Sequence, residues 1–147
     1  LRSRSDTHFV GIGRGVNDQS FHHLIGEEDR KYFHFLDEQL DVRAVLATFD
    51  VSVNCSLWGE GFSNAIGESM AMGVVCVVTD IGESANIVGE SGYTVKPDDP
   101  LGLSHQVLRF IGASIEEKAE LSRKCRSRIM ERYALTEISN RYEALYK

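Results

Sequence analysis

Short runs rich in β-branched and aromatic residues alternate along this chain with stretches of helical periodicity. HFVGI (8–12), KYFHFL (31–36), VSVNC (51–55), VVCVV (74–78) and YTV (93–95) read as strands. VVCVV is apolar without alternation, the pattern of a strand covered on both faces in a parallel sheet. Between these runs, Asp41 is placed to cap a segment with Val42, Val45, Leu46 and Phe49 on one face. Ser63 or Asn64 is placed to cap a helix running to Met72. Pro100 sits in the first-turn position that proline tolerates, ahead of Leu103, Val107, Leu108 and Ile111. The last third is helical throughout. Ser114 with Glu117 spells a capping box, and Leu121, Cys125, Ile129 and Tyr133 recur every four residues as a core-facing stripe. Thr136 is expected to cap a final helix with Ile138, Tyr142 and Leu145 on its apolar face.

Strands alternating with helices predict βαβ units, and therefore an α/β fold of the Rossmann-like kind: a parallel sheet with helices on both faces, followed by C-terminal helices. Ligands of such sheets bind beyond the carboxyl ends of the strands. That directs attention to the loops at 13–17, 36–41, 56–63 and 79–84.

Composition narrows the function classes. The chain has 147 residues, one domain's worth, and its 42% hydrophobic and 26% charged residues are ordinary for a globular protein. A net charge of −6 argues against nucleic acid as a partner, which would need a basic face. Three cysteines, two of them within apolar runs, fit a reduced cytosolic protein better than a disulfide scaffold. The chain opens LRSRSDTHFVGI without an initiating Met, only a few residues ahead of its first strand, as a piece of a longer protein would.

Several familiar motifs fail on inspection. GIGRG (11–15) would need a third glycine where Val16 stands, so it is not a dinucleotide fingerprint. Gly13 and Gly15 then serve a tight turn or the approach of a ligand. His22 and His23 have no ligand partner at metal spacing and read as part of a helical segment. The cysteines lack zinc spacing, and Asp98 and Asp99 in KPDDP read as a turn, so no metal is expected.

WGEGFSNAIGESMAM (58–72) carries more information. A glycine-flanked turn leads into a helix whose first-turn N–H groups hold about half a positive charge, a natural seat for phosphate. Yet this turn carries two carboxylates, Glu60 and Glu68. The simple explanation makes Glu60 a complement to the helix dipole and Glu68 a solvated helix residue. Gly67 weighs against it, because a glycine inside a helix costs about 1 kcal/mol and commonly marks a close approach. A carboxylate facing phosphate is repelled, but one facing a vicinal diol accepts two charge-assisted hydrogen bonds. A ligand with phosphate in the middle and diols on either side is a nucleotide sugar.

E-x7-E from Glu60 to Glu68, followed by SMAMGVVCVVTDIG, resembles the C-terminal, donor-binding domain of retaining GT-B glycosyltransferases of the family 4 (group 1) type. The likeness spans nearly the whole chain. DVRAVLATFDVSVNCS resembles the family's helix and strand before the glutamate motif, and ESANIVGESGYTVKPDDPLGL its following loop, short helix, G-x-x-V-x-P turn and helix. The variant TDIGESANIVGESG is most similar to members that build bacterial surface polysaccharide or lipopolysaccharide.

The resemblance implies a metal-independent transfer of a hexose, with retention, from a nucleotide sugar (a UDP- or GDP-sugar) to a glycan or lipid-linked acceptor, with no separate cofactor. It implies that Glu60 is catalytic and binds the donor sugar with Gly61, Phe62 and Ser63, and that Glu68 holds the ribose. Asn64, Ala65, Gly13 and Arg14 would meet the diphosphate, and Leu36 and Val42 would frame the base. It also implies a cytoplasmic protein able to associate peripherally with the inner face of the membrane. Residues 1–147 would then be a donor-binding domain truncated at its N-terminus, with the acceptor domain absent. The family's first C-terminal strand and its G-R-x-x-x-x-K-G segment, which neutralises the leaving diphosphate, have no counterpart here. The chain alone is therefore expected to bind donor weakly and not to turn over. Three positions depart from the family pattern: Cys55-Ser56 replaces Pro-Ser, Val75 replaces a proline, and Gly82-Glu83 replaces Gly-Gly, with Asn86 where an acidic residue is usual. A non-catalytic nucleotide-sugar-binding module and a GT-B sugar-nucleotide epimerase are the alternatives on the same scaffold.

Overall fold

The computed structural model describes residues 7–18 and 22–146. It divides into two compact units between Val42 and Arg43. Among the described residues, the first unit holds β1 (Phe9–Ile12) and β2 (Phe33–Leu36), which pair in parallel with Phe9 opposite Phe33 and Ile12 opposite Leu36. A 3₁₀ turn, Arg30–Tyr32, leads into β2. Phe9 and Phe33 stack across the pair with centroids 4.7 Å apart, the cross-strand contact that stabilises short sheets. The helical segment read around His22 and His23 falls partly on residues 19–21, outside the described residues. His22 itself is half-buried, with its ring 5.1 Å from that of Phe35.

The second unit is built on a three-stranded parallel sheet in the order β3 (Val51–Asn54), β4 (Val75–Thr79), β5 (Tyr93–Val95). Around it run α1 (Arg43–Leu46), α2 (Asn64–Ala71), α3 (Ser84–Val88), α4 (Pro100–Gly112), α5 (Ile115–Arg132) and α6 (Leu135–Leu145). Every residue of β4 is buried, so both its faces are covered, as its unbroken apolar run predicts. Ile66 and Met70 from α2, Ile87 and Val88 from α3, Phe110 from α4, and Cys125 and Ile129 from α5 form one core with Val75, Cys76 and Val78. Leu121 and Tyr133 pack at its edge, so the four-residue stripe of α5 faces inward as its spacing requires.

Helix ends follow the sequence signals in part. Ser114 and Glu117 form the complete capping box, with Ser114 Oγ accepting from the Glu117 N–H at 3.2 Å and Glu117 Oε2 from the Ser114 N–H at 2.9 Å. Pro100 opens α4, and Asp99, read from the sequence as a turn residue, caps it by accepting from the Gly102 N–H at 2.8 Å. The turn proper falls on Asp98, whose φ is +55°. One expectation is corrected. The last helix begins at Leu135 with Ala134 at its N-cap, so Thr136 lies inside it and caps nothing. Among the described residues little covers the apolar face of this helix, since Tyr142 is 60% and Leu145 80% exposed. Helical periodicity identifies an apolar face without identifying what packs on it.

α3 ends on side-chain donors. Arg128 Nε donates to the Ile87 carbonyl at 2.8 Å and Nη2 to that of Asn86 at 2.6 Å, satisfying carbonyls that a helix end leaves open. Gly89, at φ +54°, makes room for the guanidinium.

The cysteines divide by burial. Cys55 is exposed, whereas Cys76 and Cys125 are buried. Burial in the core pushes the Cys76 thiol from 9.0 up to about 12 and that of Cys125 to about 11. Both stay protonated in the folded chain at pH values where the unfolded chain ionises. Their contribution to stability is therefore full below about pH 9 and is lost as pH rises toward 11–12. Thiol labelling at pH 8 is expected to modify one cysteine in the native protein and three after denaturation, and the melting temperature to fall above about pH 9. Rapid native labelling of all three would contradict the burial.

Candidate donor-binding site

β3 and β4 lie side by side and parallel, so the segments that follow them, 55–63 and 80–83, leave the same edge of the sheet. The first leads into α2 and the second into α3. These are the loops that an α/β sheet offers to ligands.

Glu60 sits in the first loop, half-buried, and its Oε1 accepts from Ser56 Oγ at 2.5 Å. The backbone here is fastened to β4: Thr79 Oγ1 donates to the Ser56 carbonyl at 2.6 Å. The second loop crosses close beside it. Gly82, at φ +55°, approaches so closely that a methyl group at this position would overlap the carbonyl oxygen of Glu60. The glycine that begins the family's Gly-Gly turn thus makes room for the backbone of the first glutamate. Asn86, where the family has an acidic residue, donates through Nδ2 to Glu83 Oε2 at 3.0 Å.

The first turn of α2 is open to solvent. Ser63 stands at the N-cap with extended backbone, as the sequence suggests, but its side chain makes no capping hydrogen bond. Its hydroxyl lies 3.3 Å from Asn54 Nδ2 instead. The first-turn N–H groups are thereby left without a side-chain acceptor from the cap, the condition under which a helix start takes up an external anion. Asn64, Ala65 and Glu68 are exposed, while Ile66, Gly67, Ser69 and Met70 are buried. Residues 64, 65 and 68 stand three and four apart and so share the outer face of the helix. Gly67 has a different use from the one its place in the sequence suggests. A Cβ there would come within 3.3 Å of Phe62 Cε1, so the close approach is by the Phe62 ring, which also packs 5.2 Å from Tyr133.

Of the residues read from the sequence, Glu60, Gly61, Phe62, Ser63, Asn64, Ala65 and Glu68 are gathered at one connection of the second unit. In the first unit, Gly13, Arg14 and Leu36 gather at the carboxyl ends of β1 and β2, with the Gly13 N–H donating to the Leu36 carbonyl at 3.1 Å. Gly13 and Gly15 have φ of +135° and +79°, which accounts for both glycines as turn formers. Arg14 is paired with Glu38 at 3.1 Å, both largely exposed. Such a pair contributes about 0–1 kcal/mol, so an anion can displace the carboxylate at little cost. Val42 is half-buried at the end of this unit. Sequence reasoning missed Ser56, Asn54, Thr79 and Glu38. Their partners lie up to 24 residues away, and no local pattern announces them.

Comparison with known proteins bears on the fold and the family. The chain is 28% identical over 121 residues to N-acetyl-alpha-D-glucosaminyl L-malate synthase of Bacillus anthracis, a match covering 81% of this chain and 31% of that protein. It thus spans about a third of the curated relative it matches. Similar solved folds include an S. aureus TarM point mutant in complex with Fondaparinux, alpha-GlcNAc-glycerol and UDP (TM-score 0.83, 20% identity, 99% of this chain and 30% of that one). Anabaena HepE in complex with UDP-glucose is another (TM-score 0.78, 16% identity, 97% and 42%). A third is a glycosyltransferase of Rickettsia africae (TM-score 0.80, 16% identity, 97% and 40%). At these identities the structures establish the fold, that of GT-B glycosyltransferases. The family model described as Glycosyl transferases group 1 matches residues 1–113, well over half of the chain. This chain belongs to the group 1 glycosyl transferases.

Proposed function

We propose that this chain is the donor-binding part of an enzyme that transfers a hexose from a nucleotide sugar to a glycan or lipid-linked acceptor with retention of anomeric configuration. The observation that carries the proposal is the β3–α2 connection. It holds one carboxylate, Glu60, half-buried and hydrogen-bonded before the helix, and sets a second, Glu68, on the exposed face one turn inside it. Between them lies a helix start whose cap leaves its N–H groups free. Glu60 takes the donor sugar's hydroxyls, with the backbone of Gly61, Phe62 and Ser63 beside it. The first turn, at Asn64 and Ala65, receives the diphosphate. Glu68 takes the ribose diol.

Cleavage of the bond between the anomeric carbon and the diphosphate oxygen leaves the electron pair, and so negative charge, on the departing diphosphate. Free N–H groups at a helix start are pre-oriented to stabilise it. Placing Gly13 and Arg14 at the diphosphate, and Leu36 and Val42 at the base, rests on the resemblance alone. The Bacillus anthracis relative is named for an N-acetyl-α-D-glucosaminyl product, and the HepE and TarM complexes hold UDP-glucose and UDP; these support a UDP-sugar as donor. Glycan synthesis and a cytoplasmic setting, with peripheral membrane association, belong to the same proposal.

A heteronuclear NMR titration of this chain with UDP-, GDP- and ADP-glucose tests it. One nucleotide is expected to perturb amides of residues 56–68. Perturbations that spare this segment, or none with any of the three, would refute the assignment.

A further inference from the structure

The segment around Glu60 contains a run of side-chain contacts that ligand binding as described above does not use. Ser56 Oγ is 2.5 Å from Glu60 Oε1 and 3.2 Å from Asn54 Oδ1, while Asn54 Nδ2 is 3.3 Å from Ser63 Oγ. A serine hydroxyl has a single proton to give. The short contact to a carboxylate claims it, because charge-assisted bonds are the stronger ones. Ser56 Oγ must then accept from Asn54, which requires the amide NH₂ to face Ser56. The two ends of an asparagine amide are interchangeable on heavy-atom positions, and the hydrogen-bond network decides between them. Turning this amide over resolves both contacts. Its NH₂ donates to Ser56, and its oxygen accepts from the Ser63 hydroxyl. Donation then runs one way, from Ser63 through Asn54 and Ser56 to Glu60.

We infer that Ser56 is a positioning residue for Glu60, with Asn54 and Ser63 setting the direction in which it donates. Two features make it effective. The Ser56 backbone is held by Thr79 on the neighbouring strand, so the hydroxyl is presented from a rigid base. Among the described residues, Glu60 takes its side-chain hydrogen bond at Oε1 alone, which leaves Oε2 for a sugar hydroxyl. A glutamate held in one rotamer before the sugar arrives loses less freedom on binding than a solvated one. The same relay occupies the Ser63 hydroxyl, which explains why the helix cap goes unmade and the first turn stays open to phosphate. One arrangement thereby serves the sugar end and the diphosphate end of the donor. The inference rests on the assignment of Glu60 to the donor sugar made above.

The experiment is calorimetric titration of this chain with UDP and UDP-glucose, and in parallel with GDP and GDP-glucose, using the pair that binds. The quantity read is the ratio of Kd for the diphosphate to Kd for its sugar. Ser56→Ala is expected to lower this ratio about five- to tenfold, the cost of ordering a glutamate that is no longer held before the sugar arrives, while leaving the affinity for the free diphosphate at the wild-type value. Ser56→Thr, which keeps the hydroxyl, restores the ratio. Asn54→Asp, of the same shape but with a carboxylate that competes for the Ser56 proton, reproduces the loss.

A wild-type ratio in Ser56→Ala, with Glu60→Ala reducing it, overturns the inference and leaves the Glu60 assignment intact. An unchanged ratio in Glu60→Ala overturns the assignment and the inference with it, as does binding of neither pair. A Ser56→Ala protein that loses affinity equally for the diphosphate and its sugar also overturns the inference, since the residue then supports the fold and not Glu60.

Discussion

Gly82→Ala is expected to destabilise the protein by about 2–6 kcal/mol and to reduce affinity for the donor sugar in the same variant. Two costs combine. A residue with a Cβ at φ +55° is held in the left-handed region, which costs about 1–3 kcal/mol. The methyl group would also overlap the Glu60 carbonyl oxygen, and overpacking against a fixed neighbour typically adds about 1–3 kcal/mol. Backbone cannot rotate away as a flexible side chain can, so relief must come from moving one loop off the other. The loop that moves carries Glu60.

Two neighbouring glycines separate these costs. Gly59 has φ +81° with open space around it, so Gly59→Ala is expected to show the conformational cost alone. Gly61 has neither a positive φ nor a neighbour within 4 Å, and Gly61→Ala is expected to change stability by no more than about 0.5 kcal/mol. Thermal or urea unfolding of the three variants checks the order. Equal effects at positions 82 and 61 would show that the two loops do not pack as described.

Much of this fold is legible in the sequence because its signals are local. The five strand runs correspond to β1–β5 within a residue or two at either end. The absence of alternation in VVCVV correctly marks β4 as covered on both sides. The capping box of α5 is contained in four residues and forms in full. Asp99 shows a signal present but outweighed: an aspartate directly before Pro100, with an accessible N–H at Gly102, is a cap, yet the flanking prolines favour the turn reading. At the other end of the chain, periodicity finds the apolar face of α6 correctly but cannot say what covers it. Among the described residues little does.

The candidate site is legible to a different depth. Glu60 and Glu68 stand out because carboxylates at a helix start conflict with the expected anion, and conflicts of that kind concentrate at functional positions. What holds Glu60 in place is invisible at that level. Gly82 comes from a separate loop 22 residues away and Thr79 from the next strand. Side-chain chemistry can be read from a sequence one residue at a time, but the enclosure of a side chain depends on which strands become neighbours. Gly67 illustrates the difference. Its presence inside a helix points to a close approach, and only the fold reveals that the approaching group is Phe62.

The central claim is a division of labour between two carboxylates, and it carries the largest expected change in binding. Two charge-assisted hydrogen bonds to a ribose diol, each worth about 1.5–3 kcal/mol, correspond to a hundredfold or greater loss of nucleotide affinity in Glu68→Ala. Glu60 is assigned to the sugar alone, so Glu60→Ala is expected to keep the affinity for the free nucleoside diphosphate while weakening its sugar conjugate about tenfold or more. The decisive measurement is therefore a crossed titration of wild type, Glu60→Ala and Glu68→Ala with UDP and UDP-glucose. The predicted result is that Glu68→Ala loses both ligands and Glu60→Ala loses only the sugar-dependent part. Equal losses of both ligands in the two variants, or wild-type binding in Glu68→Ala, would contradict it.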